Sequence, residues 1–270
     1  MNLDIVLRIC GKQGVLGSDV MRICGNDREE MLLKCFISLI NAVNFASNKE
    51  INYHLYILDD HSSEEFKNKI FEILKTCKKN YTFVPLAENG FNFSAFEQFR
   101  YGKDVAQDLV YFVEDDYLHT EDAIESMTTA FFYFSQISDL NDICIYPYDS
   151  THNYTHFPKP TRLFYDGSRL WRGTDKTANT MFIHSDTVRK YFPLFEKLAK
   201  EYVFGGEVTE DNTINRMFNN SVTVGGPVWL FSPIPSVAAH VSFAEPITLT
   251  QKMNSWKEEY DKIDISSYKT

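Results

Sequence analysis

Short apolar runs alternate with amphipathic segments through the first half of this chain. Asp4–Cys10 reads as a strand. Arg28–Asn44 carries Met31, Leu32, Cys35, Phe36, Leu39, Ile40 and Val43 at helical spacing and predicts a helix. Tyr53–Leu58 predicts a strand, stopped by Asp59-Asp60-His61-Ser62-Ser63. Glu64–Lys78 follows as a helix with Ser62 or Ser63 as its N-cap. Tyr81–Pro85 (strand), Phe93–Ala106 (helix) and Leu109–Val113 (strand) continue the alternation into Glu114-Asp115-Asp116. Thr120–Ser135 predicts a helix capped by Thr120, and Asp142–Tyr146 another strand. Strands and helices alternating at this spacing imply parallel β-α-β units, hence a doubly wound, mostly parallel sheet with helices on both faces. Ligands of such sheets bind beyond the carboxyl ends of the strands. Both acidic clusters, Asp59-Asp60 and Glu114-Asp115-Asp116, fall at such ends.

Past about residue 147 the pattern loosens. Tyr148–Arg172 has no clean period. Thr180–His184 reads as a strand and Asp186–Tyr202 as a helix. A further helix is expected from Glu207 through Phe218, a strand-like run at Val222–Phe231, an apolar run at Ser236–Phe243, and a charged peripheral helix from Gln251. The expected organisation is one α/β domain: a nucleotide-binding half over 1–150, an irregular acceptor-side half over 151–250 and a tail over 251–270.

Composition narrows the function classes. A net charge of −10 on 270 residues disfavours a broad nucleic-acid surface, because phosphate contacts need Lys and Arg. It also disfavours an anionic membrane surface. Met1–Cys10 is too short and polar for a signal peptide, and no segment approaches a membrane span, so a cytoplasmic protein is expected. Cys10, Cys24, Cys35, Cys77 and Cys144 are odd in number and form no CxxC pair, which fits reduced thiols better than a disulfide framework or zinc site. The aromatic fraction is high, with 22 Phe and 15 Tyr; a Phe-rich core explains most of that surplus. P-loop, dinucleotide, nucleophile-elbow and HExxH signatures are all missing. Asn153-Tyr154-Thr155 and Asn219-Asn220-Ser221 match the glycosylation pattern by chance.

The chemistry concentrates in carboxylates. Three in a row after the apolar run Leu109–Val113 repel one another unless solvated or neutralised by a cation. Oxygen ligands of this kind suit Mg²⁺ or Mn²⁺, shared with substrate phosphates. A solvated turn with a helix cap is the plainer alternative. Arg8 inside the first strand needs an anionic partner, either donor phosphates or Asp59 or Asp60.

The segment Tyr56-Ile57-Leu58-Asp59-Asp60-His61-Ser62-Ser63-Glu64-Glu65 resembles the VDDGSTD-type segment of GT-A glycosyltransferases, especially family 2, with His61 where that family has Gly. Val113-Glu114-Asp115-Asp116-Tyr117 resembles their DXD motif. Met31–Leu39 is similar to their Leu- and Cys-rich helix. Glu88-Asn89-Gly90 and Arg100-Tyr101-Gly102 fall where they carry an N-x-G…A-R-N-x-G region. The resemblance covers roughly residues 2–125. It implies a metal-dependent, inverting transferase using a nucleotide-sugar donor such as a UDP-sugar. Asp59 or Asp60 would hold the nucleoside, with Asn89, Arg100, Glu114 and Asp115 also on the donor side and Asp116 on the metal. His240, in an apolar run late in the chain, would complete the metal site as a late His does in many GT-A enzymes. Thr209-Glu210-Asp211-Asn212 matches the dipeptide that supplies the general base, Asp211 first and Glu210 second. An acidic first helical turn explains the same residues through the helix dipole.

Arg172 or Lys176 is a candidate for the leaving diphosphate, and Trp171 for stacking on a sugar, although surface charges beside one packed Trp explain the segment equally. The acceptor is a glycan, lipid-linked or other hydroxyl; modified phage DNA fits the charge less well. Two rivals are a sugar-phosphate nucleotidyltransferase, of which Gly11-Lys12-Gln13-Gly14 is a weak echo, and a non-catalytic sugar-binding module.

Overall fold

A computed structural model of the chain describes residues 1–11, 24, 27–137, 142–150, 161–203, 205–218, 227–242 and 250–268, with side chains of the last stretch described from 255 onward. The glycosylation-like patterns at 153–155 and 219–221, residues 12–14 of the glycine-rich echo, residues 222–226 and Phe243 lie outside these described residues.

Apolar runs with β-branched and aromatic residues become strands β1 (Asn2–Ile9), β2 (Asn52–Asp59), β3 (Asn80–Pro85), β4 (Leu109–Glu114) and β6 (Asp142–Ile145). A three-residue strand, β5 (Tyr117–His119), follows β4. Beyond it come β7 (Leu163–Tyr165), β8 (Leu170–Thr174), β9 (Met181–His184), β10 (Val228–Ile234) and β11 (Ala238–His240). Nine of these form one sheet in the order β3-β2-β1-β4-β9-β6-β10-β8-β7, and β5 pairs antiparallel with β11. Within the large sheet only β8 and β9 run against the other seven strands. Strand β9, from the second half of the sequence, lies between β4 and β6 of the first, so both halves share one sheet.

Helices cover both faces. Those of the first half are α1 (Arg28–Phe45), α2 (Glu64–Leu74), α3 (Phe91–Asp104) and α4 (Ala123–Ser135). Asp27 caps α1 by accepting from Glu30 N. Ser63, rather than Ser62, caps α2 by accepting from Phe66 N at 3.1 Å. The expected Thr120 cap of α4 is displaced: the helix starts at Ala123 behind Asp122, and Thr120 spends its hydroxyl on Asp122 Oδ1 at 2.7 Å. The second half adds α5 (Ser185–Glu201), capped by His184, and α6 (Thr250–Lys262). The tail is less peripheral than its charge suggests, since Trp256 and Tyr260 are buried and Lys34 of α1 donates to Tyr260 O at 3.1 Å. The helix expected over 207–218 is instead two 3₁₀ segments, Glu210–Asn212 and Ile214–Phe218.

Side-chain alternation along the strands sets which helix each residue meets. Leu7, Ile9 and Val113 face Cys35, Phe36 and Leu39 of α1. On the opposite face Phe112 meets Phe99 of α3 and Phe195 of α5 edge-on or tilted, 5.3 and 6.2 Å between centroids. Much of the Phe surplus is therefore core, as composition suggested. The aromatic packing demands a glycine: a Cβ at Gly102 of α3 would lie 2.3 Å from Phe112 Cζ. Phe112 is fully buried and cannot swing away.

Gly102→Ala should therefore lower unfolding free energy by roughly 1–3 kcal/mol in a urea titration. Adding Phe112→Leu should return part of that loss. Strictly additive single-mutant effects would show that the ring contact is not the cause.

Candidate functional site

Parallel pairing of β1, β2 and β4 brings their carboxyl ends to one edge of the sheet, with Arg8 flanked by Leu58 and Glu114 in register. At the end of β2, Asp59 accepts from Ser62 N at 3.1 Å, and Asp60 accepts from Gly90 N at 3.0 Å. Both carboxylates are almost fully buried. They brace the β2–α2 and β3–α3 loops at the rim of the site. His61 adopts φ 57°, the left-handed conformation that a glycine in this position would take easily, so the loop keeps its turn without one. Asn89 is exposed beside Gly90.

The acidic triplet splits three ways. Glu114 pairs with Arg8 Nη2 at 2.7 Å and accepts from Asn179 Nδ2 at 3.3 Å. The sequence left Arg8 a choice of donor phosphates, Asp59 or Asp60; the structure gives it Glu114, one strand over. Arg8 also lies over the Phe91 ring at 4.5 Å. Asp115 turns back to accept from Cys10 N at 2.9 Å. Burial, then the neighbouring Asp116 charge, raise its pKa to about 7.

Asp116 meets His240. Strand β11 pairs with β5 so that His240 faces Tyr117, and the imidazole Nε2 lies 3.0 Å from Asp116 Oδ2. Ser242 donates to the same oxygen at 2.5 Å, and Val241 N to the Asp116 carbonyl at 2.9 Å. Burial pushes the Asp116 carboxyl up, but His240 and Ser242 outweigh it and hold its pKa below the ordinary range. Burial lowers the imidazole likewise, and Asp116 more than restores it, so its pKa rises. Asp116 Oδ1 is buried with no hydrogen-bond partner. A carboxylate oxygen left unpaired beside an imidazole fits a divalent cation of the Mn²⁺ or Mg²⁺ class. Among the described residues no three His, Cys, Asp or Glu side chains converge.

The two base candidates separate. Asp211 is exposed and ion-paired with Lys176 at 2.6 Å. Glu210 turns inward: burial, then the fields of Glu114 and Asp211, raise its pKa despite a backbone hydrogen bond that lowers it. The sequence put Asp211 before Glu210; of the two, Glu210 is the less exposed. Lys176, a sequence candidate for the diphosphate, is the cation paired with Asp211.

Three other candidates have side-chain partners of their own. Trp171 is fully buried, donates to Asp166 Oδ2 at 2.7 Å and packs edge-on to Phe134, leaving no face for a sugar. Arg172 lies 3.5 Å from Asp149. Arg100 is held by Glu97 at 2.6 Å and sits nine residues into α3, roughly 13 Å along the axis from the helix end that meets Arg8.

Sequence reading passed over Ser242, Asn179, Phe91 and Tyr202. Only the hydroxyl following His240 by two residues carried any local signal for the first. The others are placed by chain crossings that periodicity does not encode.

No protein-family model matches the chain, and no curated protein sequence matches it. Among solved structures, galactosyltransferase LgtC in complex with donor and acceptor sugar analogs superposes with TM-score 0.50 at 12% identity, covering 96% of this chain and 96% of that one. The fold is of the GT-A type. UDP-glucose pyrophosphorylase complexed with UDP-glucose gives TM-score 0.48 at 9% identity, covering 97% of this chain and 99% of that one. S. aureus TarS gives TM-score 0.44 at 10% identity, covering 74% of this chain, and the chain spans only 34% of TarS. At such identities the likeness speaks for fold alone. No described helix is long and apolar enough to cross a membrane.

Two stability predictions follow from the packing around the site. Arg8→Met strands the Glu114 carboxylate and should cost roughly 3 kcal/mol by urea unfolding. Arg8→Met with Glu114→Gln should recover much of it, and a near-silent single variant would refute the pairing. His119, accepting from or donating to Tyr111 OH at 2.9 Å, has a pKa lowered by burial from 6.5 to about 4. Between those values the unfolded chain binds a proton that the folded chain refuses. Its stabilisation is complete above pH 6.5 and lost as pH falls toward 4. The stability difference between wild type and His119→Gln should therefore slope by up to ~1.4 kcal/mol per pH unit in that window. Parallel curves would rule this out.

Proposed function

We propose that this chain is a metal-dependent glycosyltransferase that moves a sugar from a nucleoside-diphosphate donor, a UDP-sugar, to an acceptor hydroxyl with inversion. The observation that carries the reading is the Asp116–His240 pair at 3.0 Å, with Asp116 Oδ1 buried and unpartnered, at the strand-end edge of a GT-A fold. That edge is where doubly wound sheets bind their ligands.

Asp116 and His240 would hold Mn²⁺ or Mg²⁺. When bound, such an ion supplies positive charge against the leaving diphosphate. Ser242 fixes the Asp116 carboxylate by its hydrogen bond to Oδ2, which keeps Oδ1 turned away from that contact. Arg8 neutralises Glu114, so the donor's negative charge meets one buried anion fewer. Asp59 and Asp60 hold the two loops that border the nucleoside side. Glu210 takes the proton of the attacking hydroxyl. A carboxyl with a raised pKa is a stronger base than an exposed one, and no cation is paired with Glu210 among the described residues. Inversion is the outcome expected of a single displacement assisted by such a base.

Glu210→Gln should lower transfer by about 10²–10⁴-fold while UDP binding with Mn²⁺ is retained in calorimetry. Asp211→Asn should stay within a few-fold of wild type. Asp116→Ala should lose both Mn²⁺-dependent UDP binding and sugar release from a UDP-sugar panel. A collapse in Asp211→Asn with an active Glu210→Gln would reverse the base assignment. Wild-type turnover by Asp116→Ala would place the donor elsewhere.

A further inference from the structure

Beside the strand-end carboxylates lies an aromatic pair that the proposed mechanism does not use. Phe91 begins α3 and is 36% exposed, although it is a large apolar side chain at the edge of a charged site. Its ring lies 4.9 Å from that of Tyr202, tilted by 41°. The Arg8 guanidinium lies against the Phe91 ring at 4.5 Å while its Nη2 holds Glu114. The arrangement is fixed in advance. Asn92 Nδ2 donates to Lys200 O and to Tyr202 O, both at 3.1 Å, tying the end of α5 to the start of α3. Burial, then the fields of Glu210 and Glu114, raise the Tyr202 hydroxyl pKa. Val203, next in the chain, is 66% exposed and prolongs the apolar strip.

We infer that Phe91 and Tyr202 form the platform on which the acceptor stacks, and that the acceptor presents an uncharged pyranose ring there. The inference rests on the glycosyltransferase reading of the same site. Flat aromatic faces suit ring-shaped ligands with one apolar side, at little conformational cost. Through Arg8 the platform borders Glu114 at the strand ends, where the acceptor hydroxyl must meet the donor. Charge selects the occupant. Bases of a single-stranded nucleic acid also stack on aromatic rings, but its phosphates would be laid against Glu114, Glu210 and a chain of net charge −10. A neutral sugar meets no such repulsion.

The test uses the full chain with UDP, Mn²⁺ and a panel of methyl hexopyranosides as acceptor probes, read by saturation-transfer NMR. Wild type should transfer magnetisation to the ring protons of at least one glycoside. Tyr202→Ala should weaken that glycoside about tenfold, the equivalent of ~1.4 kcal/mol, while Tyr202→Phe stays within about twofold. UDP affinity, measured separately, should be the same in all three proteins. Equal glycoside binding by Tyr202→Ala and wild type would overturn the platform. So would a parallel loss of UDP affinity, which would put the ring on the donor side, or tighter Tyr202-dependent binding of a thymidine oligonucleotide. Failure of the wild type to bind UDP would instead bring down the glycosyltransferase reading itself.

Discussion

Parallel strands that end together force their terminal side chains into one small region, and here those side chains are acids. Asp59, Asp60, Glu114, Asp115 and Asp116 all arrive at the same sheet edge. Left alone, five carboxylates in a partly dehydrated space would repel one another and resist burial. Each has a different answer. Backbone amides take Asp59 and Asp60. Arg8 takes Glu114. Cys10 N and a raised pKa accommodate Asp115. His240 and Ser242 take Asp116. Most of the local geometry follows from distributing negative charge.

That distribution leaves one oxygen over. Asp116 Oδ1 is buried without a partner while its sister oxygen receives two hydrogen bonds. Buried polar atoms are rarely left so, because desolvation is costly when nothing replaces water. Asp116 Oδ1 is the oxygen left for the cation proposed above, with the His240 imidazole alongside. The ion pair of Arg8 and Glu114 has a different standing. Such pairs are weak contributors to net stability, since desolvation offsets their attraction. Its consequence is orientation: Arg8 reaches across to Phe91 and thereby joins the charged site to its aromatic border.

The second half of the chain contributes side chains rather than a layer of its own. Strand β9 enters the sheet between β4 and β6, and β11 returns to pair with β5. Through these crossings Asn179, His240 and Ser242 reach carboxylates more than sixty positions earlier in the sequence. The aromatic richness divides in the same way. Phe99, Phe112, Phe134 and Trp171 are core, whereas Phe91 and Tyr202 remain at the surface beside the acids.

The sequence by itself determined the alternation of strands and helices up to residue 145, since hydrophobic period is a local property. It also located the acidic strand ends, because a buried run stopping at carboxylates is visible in one dimension. It singled out His240 as a candidate ligand through resemblance to known transferases, and the structure sets that residue against Asp116. What it left open needed three dimensions. Trp171 and Arg100 read as ligand-facing in the chain but lie in the core and along a helix, because side-chain direction depends on packing. Glu210 and Asp211 are adjacent and chemically alike; only the backbone turn leaves one half-buried and the other exposed beside Lys176. The opening triplet shows the same limit. Its composition announced a charge problem, and the tertiary structure alone assigned each carboxylate its partner, because those partners come from strands and loops remote in sequence.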